Sequence, residues 1–165
     1  MSRARRLVVA LIIVAAAAAF AVFGLAPAKK SDRVAPPLPA TALTAARPTL
    51  ASLHGRPAFV VFWASWCGPC ATEAPAIERF ARSLGHHATL IGVDWNDPST
   101  SNARAFVRRY GWTFPILSDP AGSVGDTYGL RGLPTTFVLD AQGRIAATLQ
   151  GEQTEKSLSE ALGRV

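Results

Sequence analysis

"FWASWCGPC", Phe62 to Cys70, holds the only two cysteines of the chain. It is entered through "AFVVFW" (Ala58–Trp63), a short, continuous apolar run rich in β-formers, the pattern of a strand buried on both faces. It leads into a helical pattern from about Cys67 to Leu84, where Ile77, Phe80, Ala81 and Leu84 recur at helix spacing and Gly85 closes the run. The cysteine pair therefore lies where a buried strand gives way to a helix. Half a metal site, a short structural staple and a reactive redox pair are the three chemistries to weigh.

A structural zinc site needs four nitrogen or sulfur ligands. The cysteines could be joined only by His54, His86 and His87, of which two are adjacent and none falls in a ligand spacing. No resident metal or organic cofactor is expected. A staple gains little, because the stabilisation from a disulfide grows with the loop it closes and this loop is very short. The redox reading gives every residue a reason. At the start of a helix the Cys67 sulfur meets unpaired backbone N–H groups and the positive end of the dipole, which favours the thiolate. Cys70, one turn further, is placed to attack a mixed disulfide and release the product. Gly68 permits close approach of a partner chain, and Pro69 sits in the first turn, where no N–H is missed.

The rest of the chain reads as alternating elements. "ATLIGVD" (Ala88–Asp94) is a second buried strand and "PSTSNARAFVRRYG" (Pro98–Gly111) a helix with polar capping candidates and a glycine stop. "FPILSD" is a short strand and "AGSVGDTYGL" a short helical segment. "TTFVLD" (Thr135–Asp140) turns through "AQG" into "RIAATLQG" as a hairpin, and "QTEKSLSEALGRV" is a closing amphipathic helix. This order predicts an α/β fold, a mixed central β-sheet flanked by helices.

The first 28 residues differ in kind. Leu7 to Ala28 carries no charge over 22 residues, enough for a membrane-spanning helix and longer than the usual apolar core of a cleaved signal. Arg3, Arg5 and Arg6 place the N-terminus in the cytoplasm. "APA" (Ala26–Ala28) has the small-x-small form of a cleavage site, so the rival is a cleaved, secreted or periplasmic protein. Both place the cysteines outside the cytoplasm. The net charge of +6 is concentrated here: five of the 17 basic residues flank the apolar run, and the other twelve nearly balance the 11 acidic ones. That distribution is a topology signal and excludes a nucleic-acid footprint. Residues 29–47, with Pro36, Pro37 and Pro39, read as a flexible tether whose later part could pair as an edge strand. The expected organisation is an anchor at 1–28, the tether at 29–47 and a catalytic domain at 48–165.

"FWASWCGPC" followed by "GLPTTFVLD" resembles the thioredoxin superfamily, and more narrowly the membrane-tethered TlpA/ResA/CcmG-type thiol-disulfide oxidoreductases. The resemblance covers about Pro48 to the C-terminus. It implies a thioredoxin-like fold, protein disulfide substrates, reducing activity toward apocytochrome c cysteines, and a membrane electron donor of the CcdA or DsbD type. It also implies that Pro134 is a cis-proline facing the cysteines and turning the Leu133 backbone toward an extended substrate strand; the alternative is a trans proline opening a strand. Trp66 is expected on the substrate rim and Trp63 in the core, with Trp95 in either place. Where thioredoxins proper carry a buried Asp, this chain has Val61. Glu73 matches the glutamate of ResA-like proteins and, if buried, would accept a proton from Cys70; otherwise it is a solvated residue near the helix N-terminus. Asp94 and Asp97 read as a solvated loop, with an influence on the field around Cys67 as the alternative. The histidines receive no role. A monomer is expected. The competing functions are a disulfide-forming oxidase and, in another class, a Cu(I) metallochaperone, which soft thiolates would suit but which lacks a CxxxC-plus-His arrangement.

Overall fold

The computed structural model describes residues 33–165. The expected anchor at 1–28 and the first residues of the tether lie outside them. Among the described residues no helix is long and apolar enough to cross a membrane.

The run Ala58–Trp63 forms the central strand β2, every residue of which is buried. It follows β1 (Thr41–Ala42) and a single 3-10 turn at Leu50–Leu53. After it come α1 (Gly68–Ser83), β3 (Thr89–Trp95), α2 (Thr100–Tyr110), β4 (Ile116–Asp119), α3 (Ser123–Tyr128), β5 (Thr135–Leu139), β6 (Ile145–Gln150) and α4 (Glu155–Leu162). The six strands form one sheet in the order β1-β4-β3-β2-β5-β6. β2 and β4 run parallel to β3, whereas β5 pairs antiparallel with β2 and with β6. The sheet is mixed because the helical crossovers α1 and α2 return the chain in the same direction, while the tight β5–β6 turn reverses it.

Alternation along β2 builds two cores. Phe59, Val61 and Trp63 face α1, α2 and α4, meeting Ile77, Phe80, Phe106 and Leu158. Ala58, Val60 and Phe62 face the other way, toward Leu53 and Tyr128. Trp63 packs its ring 4.6 Å from Phe106 and 4.9 Å from Trp112. That cluster requires Gly92 on β3, where a Cβ would stand 2.7 Å from Ile116 Cδ1 and 3.0 Å from Trp63 Nε1. Buried Glu78 of α1 accepts hydrogen bonds from the N–H and hydroxyl of Thr113, both at 3.0 Å, and fixes α1 to the α2–β4 loop. Helix ends follow the sequence signals: Ser99 caps α2 through Asn102 N–H, and Gly111 ends it at φ 64°.

One expectation needs correction. From residue 33 on, the stretch read as tether lies against the domain. Val34 bridges to Arg144, Ala35 N–H donates to Gly143 C=O at 2.9 Å, and Tyr128 Oη donates to Pro36 C=O at 2.9 Å. Leu43 is buried, and Thr41–Ala42 forms the anticipated edge pairing with β4. Prolines remove donors without preventing burial, and neighbouring residues supply the bonds.

Candidate active site

Cys67 is the N-cap of α1, with extended backbone, so its side chain stands at the end of β2 and over the first turn of the helix. Its Sγ accepts the Cys70 N–H at 3.2 Å and is bonded to the Cys70 sulfur, with the two Cα atoms 5.2 Å apart. This is the oxidised form of the pair. Cys67 is 5% exposed and Cys70 1% exposed. Both are buried, Cys67 slightly less completely. Gly68 and Pro69 lie exposed between them, and Trp66, 54% exposed, projects beside them with its indole N–H on Asn96 C=O at 3.3 Å.

The Leu133–Pro134 peptide is cis. Pro134 C=O accepts Gly151 N–H at 2.9 Å, and Thr135 Oγ1 donates to Gly132 C=O at 2.8 Å; neither bond uses the Leu133 backbone. A small hollow of about 150 Å³ borders this turn between Arg131, Leu133 and Gln150. A second, wider hollow of about 340 Å³ lies beside Trp66, between Ala71 on α1 and Asn102, Phe106 and Tyr110 on α2.

Glu73 is buried, 3% exposed, one helical turn beyond Cys70, and its Oε2 accepts the Gln153 N–H at 2.9 Å. Burial pushes its carboxyl up to about 7, against the Gln153 hydrogen bond and with the Glu152 charge adding to the rise. A carboxyl poised there exchanges protons readily at neutral pH. Val61, at the position of the missing aspartate, is fully buried in the same core.

Trp63 is fully buried core, and Trp95 is half-buried with its indole N–H on Gly122 C=O. His54, His86 and His87 are exposed. The reading of Asp94 and Asp97 as a solvated loop is wrong: they are 1% and 5% exposed. Asp94 lies within β3 beneath the α1–α2 layer, and Asp97 is turned inward to accept the Ser65 N–H at 2.7 Å. Asn96 and Asp97 thus hold the two residues that precede Cys67. Asn96 adopts φ 49°, which asparagine tolerates better than most residues. The sequence carried only a faint signal of this, a polar "ND" directly after a buried strand.

Comparison with known proteins agrees with this geometry. The signature of the AhpC/TSA family matches residues 32–148. ResA, a thiol-disulfide oxidoreductase of Bacillus thuringiensis subsp. konkukian, is 31% identical over 132 residues, which cover 79% of this chain and 76% of ResA. The thioredoxin-like protein YneN of Bacillus subtilis is 32% identical over 130 residues, 78% of this chain and 76% of YneN. The crystal structure of a DsbF homologue from Corynebacterium diphtheriae superposes with a TM-score of 0.74 at 26% identity, covering 85% of this chain and 90% of that one. A disulfide that caps a helix at the end of a central strand suits the thiol-disulfide exchange that the ResA name prints, and the chain belongs to the AhpC/TSA family as a thioredoxin-like thiol-disulfide oxidoreductase.

Proposed function

We propose that the protein is a membrane-tethered, extracytoplasmic reductant of protein disulfides, with apocytochrome c cysteines as its substrate class. The observation that carries the exchange chemistry is the Cys67–Cys70 disulfide at the start of α1, with buried Glu73 one turn beyond Cys70. The Gly68–Pro69 dipeptide between the cysteines and the apolar Leu133 before Pro134, shared with reducing thioredoxins, support reduction as its direction. In the reduced protein the Cys67 thiolate attacks one sulfur of a substrate disulfide, forming a mixed disulfide and releasing the first substrate thiolate. The Cys70 thiol passes its proton to the Glu73 carboxylate and attacks Cys67 Sγ, releasing the second substrate thiolate. Two electrons have then left the protein, and the Cys67–Cys70 disulfide remains. The Leu133 backbone beside Pro134 receives the substrate as an added strand, with Trp66, Gly68 and Pro69 forming the opposite rim. A membrane donor of the CcdA or DsbD type restores the dithiol; the similarity to ResA supports this, as the uncharged segment Leu7–Ala28 supports the tether.

The test is the reduction potential of the pair in the full-length chain, titrated against dithiothreitol buffers and followed by tryptophan fluorescence. The reductant is expected near the thioredoxin value of about −270 mV or below. A potential near about −120 mV would make disulfide formation the function instead.

A further inference from the structure

The structure buries a pair of acids, Asp94 and Asp97, that the exchange steps do not use. Asp94 ends the buried part of β3, in register with Trp63 of β2 and Ser118 of β4. Asp97 follows in the loop. Both carboxyl groups are buried, and the Asp97 charge acts on Asp94 at close range. Asp97 also accepts two backbone donors, Ser65 N–H on Oδ2 at 2.7 Å and Ser99 N–H on Oδ1 at 3.1 Å. Asp94 Oδ1 is buried with no partner.

Two carboxyl groups buried close together keep a proton on one of them, since two carboxylates there would repel and an ionised one can only accept. Asp97, facing donors, is the site for the charge; Asp94, nearly sealed and partly unpartnered, is the site for the proton. Among the described residues no cation acts on either carboxyl. From α2, Arg104 is committed to Leu43 C=O and Arg109 lies over the Tyr110 ring, with Arg108 on the same helix. From α1, Glu73 is held by Gln153 N–H and Glu78 by Thr113 and Arg82. On β4, Asp119 accepts Gly125 N–H, and β2 brings no charged side chain. The charge that acts on Asp94 is that of Asp97: burial, with that charge adding, pushes Asp94 up to about 8. Burial alone would raise Asp97 too, but the Ser65 and Ser99 bonds hold it below the usual carboxylate range.

We propose that Asp94 and Asp97 share a single proton, and that this carboxyl–carboxylate pair is a positioning device that holds the Ser65–Cys67 loop for exchange and releases it when the proton is lost. The proposal rests on the exchange chemistry at Cys67. Ser65 stands two residues before the nucleophile, Cys67 N–H bonds back to Ala64 C=O at 3.2 Å, and Trp66 is held by Asn96, the residue before Asp97. When Asp94 gives its proton to solvent, two adjacent buried carboxylates repel, and the Asp97 carboxylate withdraws from Ser65 N–H. In this reading the disulfide reactivity of Cys67 carries an alkaline limit set by a group that never touches substrate.

The first test uses the oxidised full-length chain, in which no cysteine titrates, so it does not depend on which way electrons flow in the cell. Carbon-13 NMR of the aspartate carboxyls is expected to show one group titrating near pH 8, absent in Asp94→Asn. Ser65 amide-exchange protection, corrected for intrinsic rates, should fall roughly tenfold across the same transition. Asp94→Asn and Asp94→Ala both remove the second carboxylate, so Ser65 protection should lose its alkaline fall in each. The readout that distinguishes positioning from mere stability is the alkylation rate of Cys67 in the reduced protein, divided by its thiolate fraction. It should drop above the transition in the wild type and stay level in Asp94→Asn. Titration of Asp94 in the ordinary carboxylate range, or Ser65 protection indifferent to that titration, overturns the proposal.

Discussion

Single side chains divide the exchange reaction into steps that can be separated. Replacing Cys70 by Ala leaves Cys67 without a resolving partner, so mixed disulfides through Cys67 should accumulate and be visible as covalent adducts on non-reducing gels. Cys67→Ala should trap none, and equal trapping by both variants would contradict the assigned order of attack. Glu73→Gln removes the proton acceptor while keeping an oxygen for Gln153 N–H. The resolving step, followed by stopped flow, should slow by about a hundredfold at neutral pH. Its rise with pH around 7, where the wild-type carboxyl ionises, should disappear. The same group writes itself into stability. Its folded value of about 7 lies above the ordinary 4.5, so the native state holds the proton more tightly than the unfolded chain. Stability is therefore greatest below the ordinary value and declines as pH rises through 7, by on the order of 3 kcal/mol across the window. Urea titrations of Glu73→Gln should show that decline flattened. The position of Glu73 on the face of Cys70 was legible from spacing, but its burial was not, because the covering residue Gln153 lies 80 positions away.

Among the elements, β2 and α1 could be read almost residue by residue, since a buried strand, an N-cap and an amphipathic helix are local patterns. Asp94 could not: its neighbours across the sheet, Trp63 and Ser118, are set by strand order, which no local window contains. Strand order also explains the small α3, whose six residues carry weak helical signal by themselves. It is held from below. Asp119 accepts Gly125 N–H at 2.9 Å, and the Trp95 indole lies under Gly122 and Gly125. A Cβ at Gly125 would collide with Trp95 Nε1 and Cδ1, both atoms of a rigid ring. Gly125→Ala should therefore force Trp95 off its bond to Gly122 C=O and cost about 1–3 kcal/mol, measured as a lower urea midpoint. Trp95 belongs to the core on the sheet face away from α1. The exchange rate per folded molecule should thus stay near the wild-type value, which separates packing from chemistry.

At the scale of the whole molecule, the main departure from the sequence reading is that the catalytic fold does not begin at Pro48. Residues 33–47 close both ends of the molecule. One end is tied to the β5–β6 turn by Val34 and Ala35, and to α3 through Pro36 and the Tyr128 hydroxyl. The other covers the free edge of β4, where Ile116 N–H donates to Thr44 Oγ1 and Ile116 C=O accepts Leu43 N–H. An uncovered β4 would present unpaired backbone groups to any other strand. These contacts span 72 and 92 residues in the sequence, so proline-rich composition alone could not reveal them. A chain starting at Pro48 loses the burial of Leu43 and Ala35 and several hydrogen bonds, and should be less stable than one starting at Ser31 by on the order of 3–5 kcal/mol. It should also associate with increasing concentration through the bared edge, seen by light scattering. If the two chains unfold at the same urea concentration and both stay dispersed, the segment is a tether after all. If they differ as expected, it is a structural part of the catalytic domain, and any reach toward a membrane must come from the residues before 33.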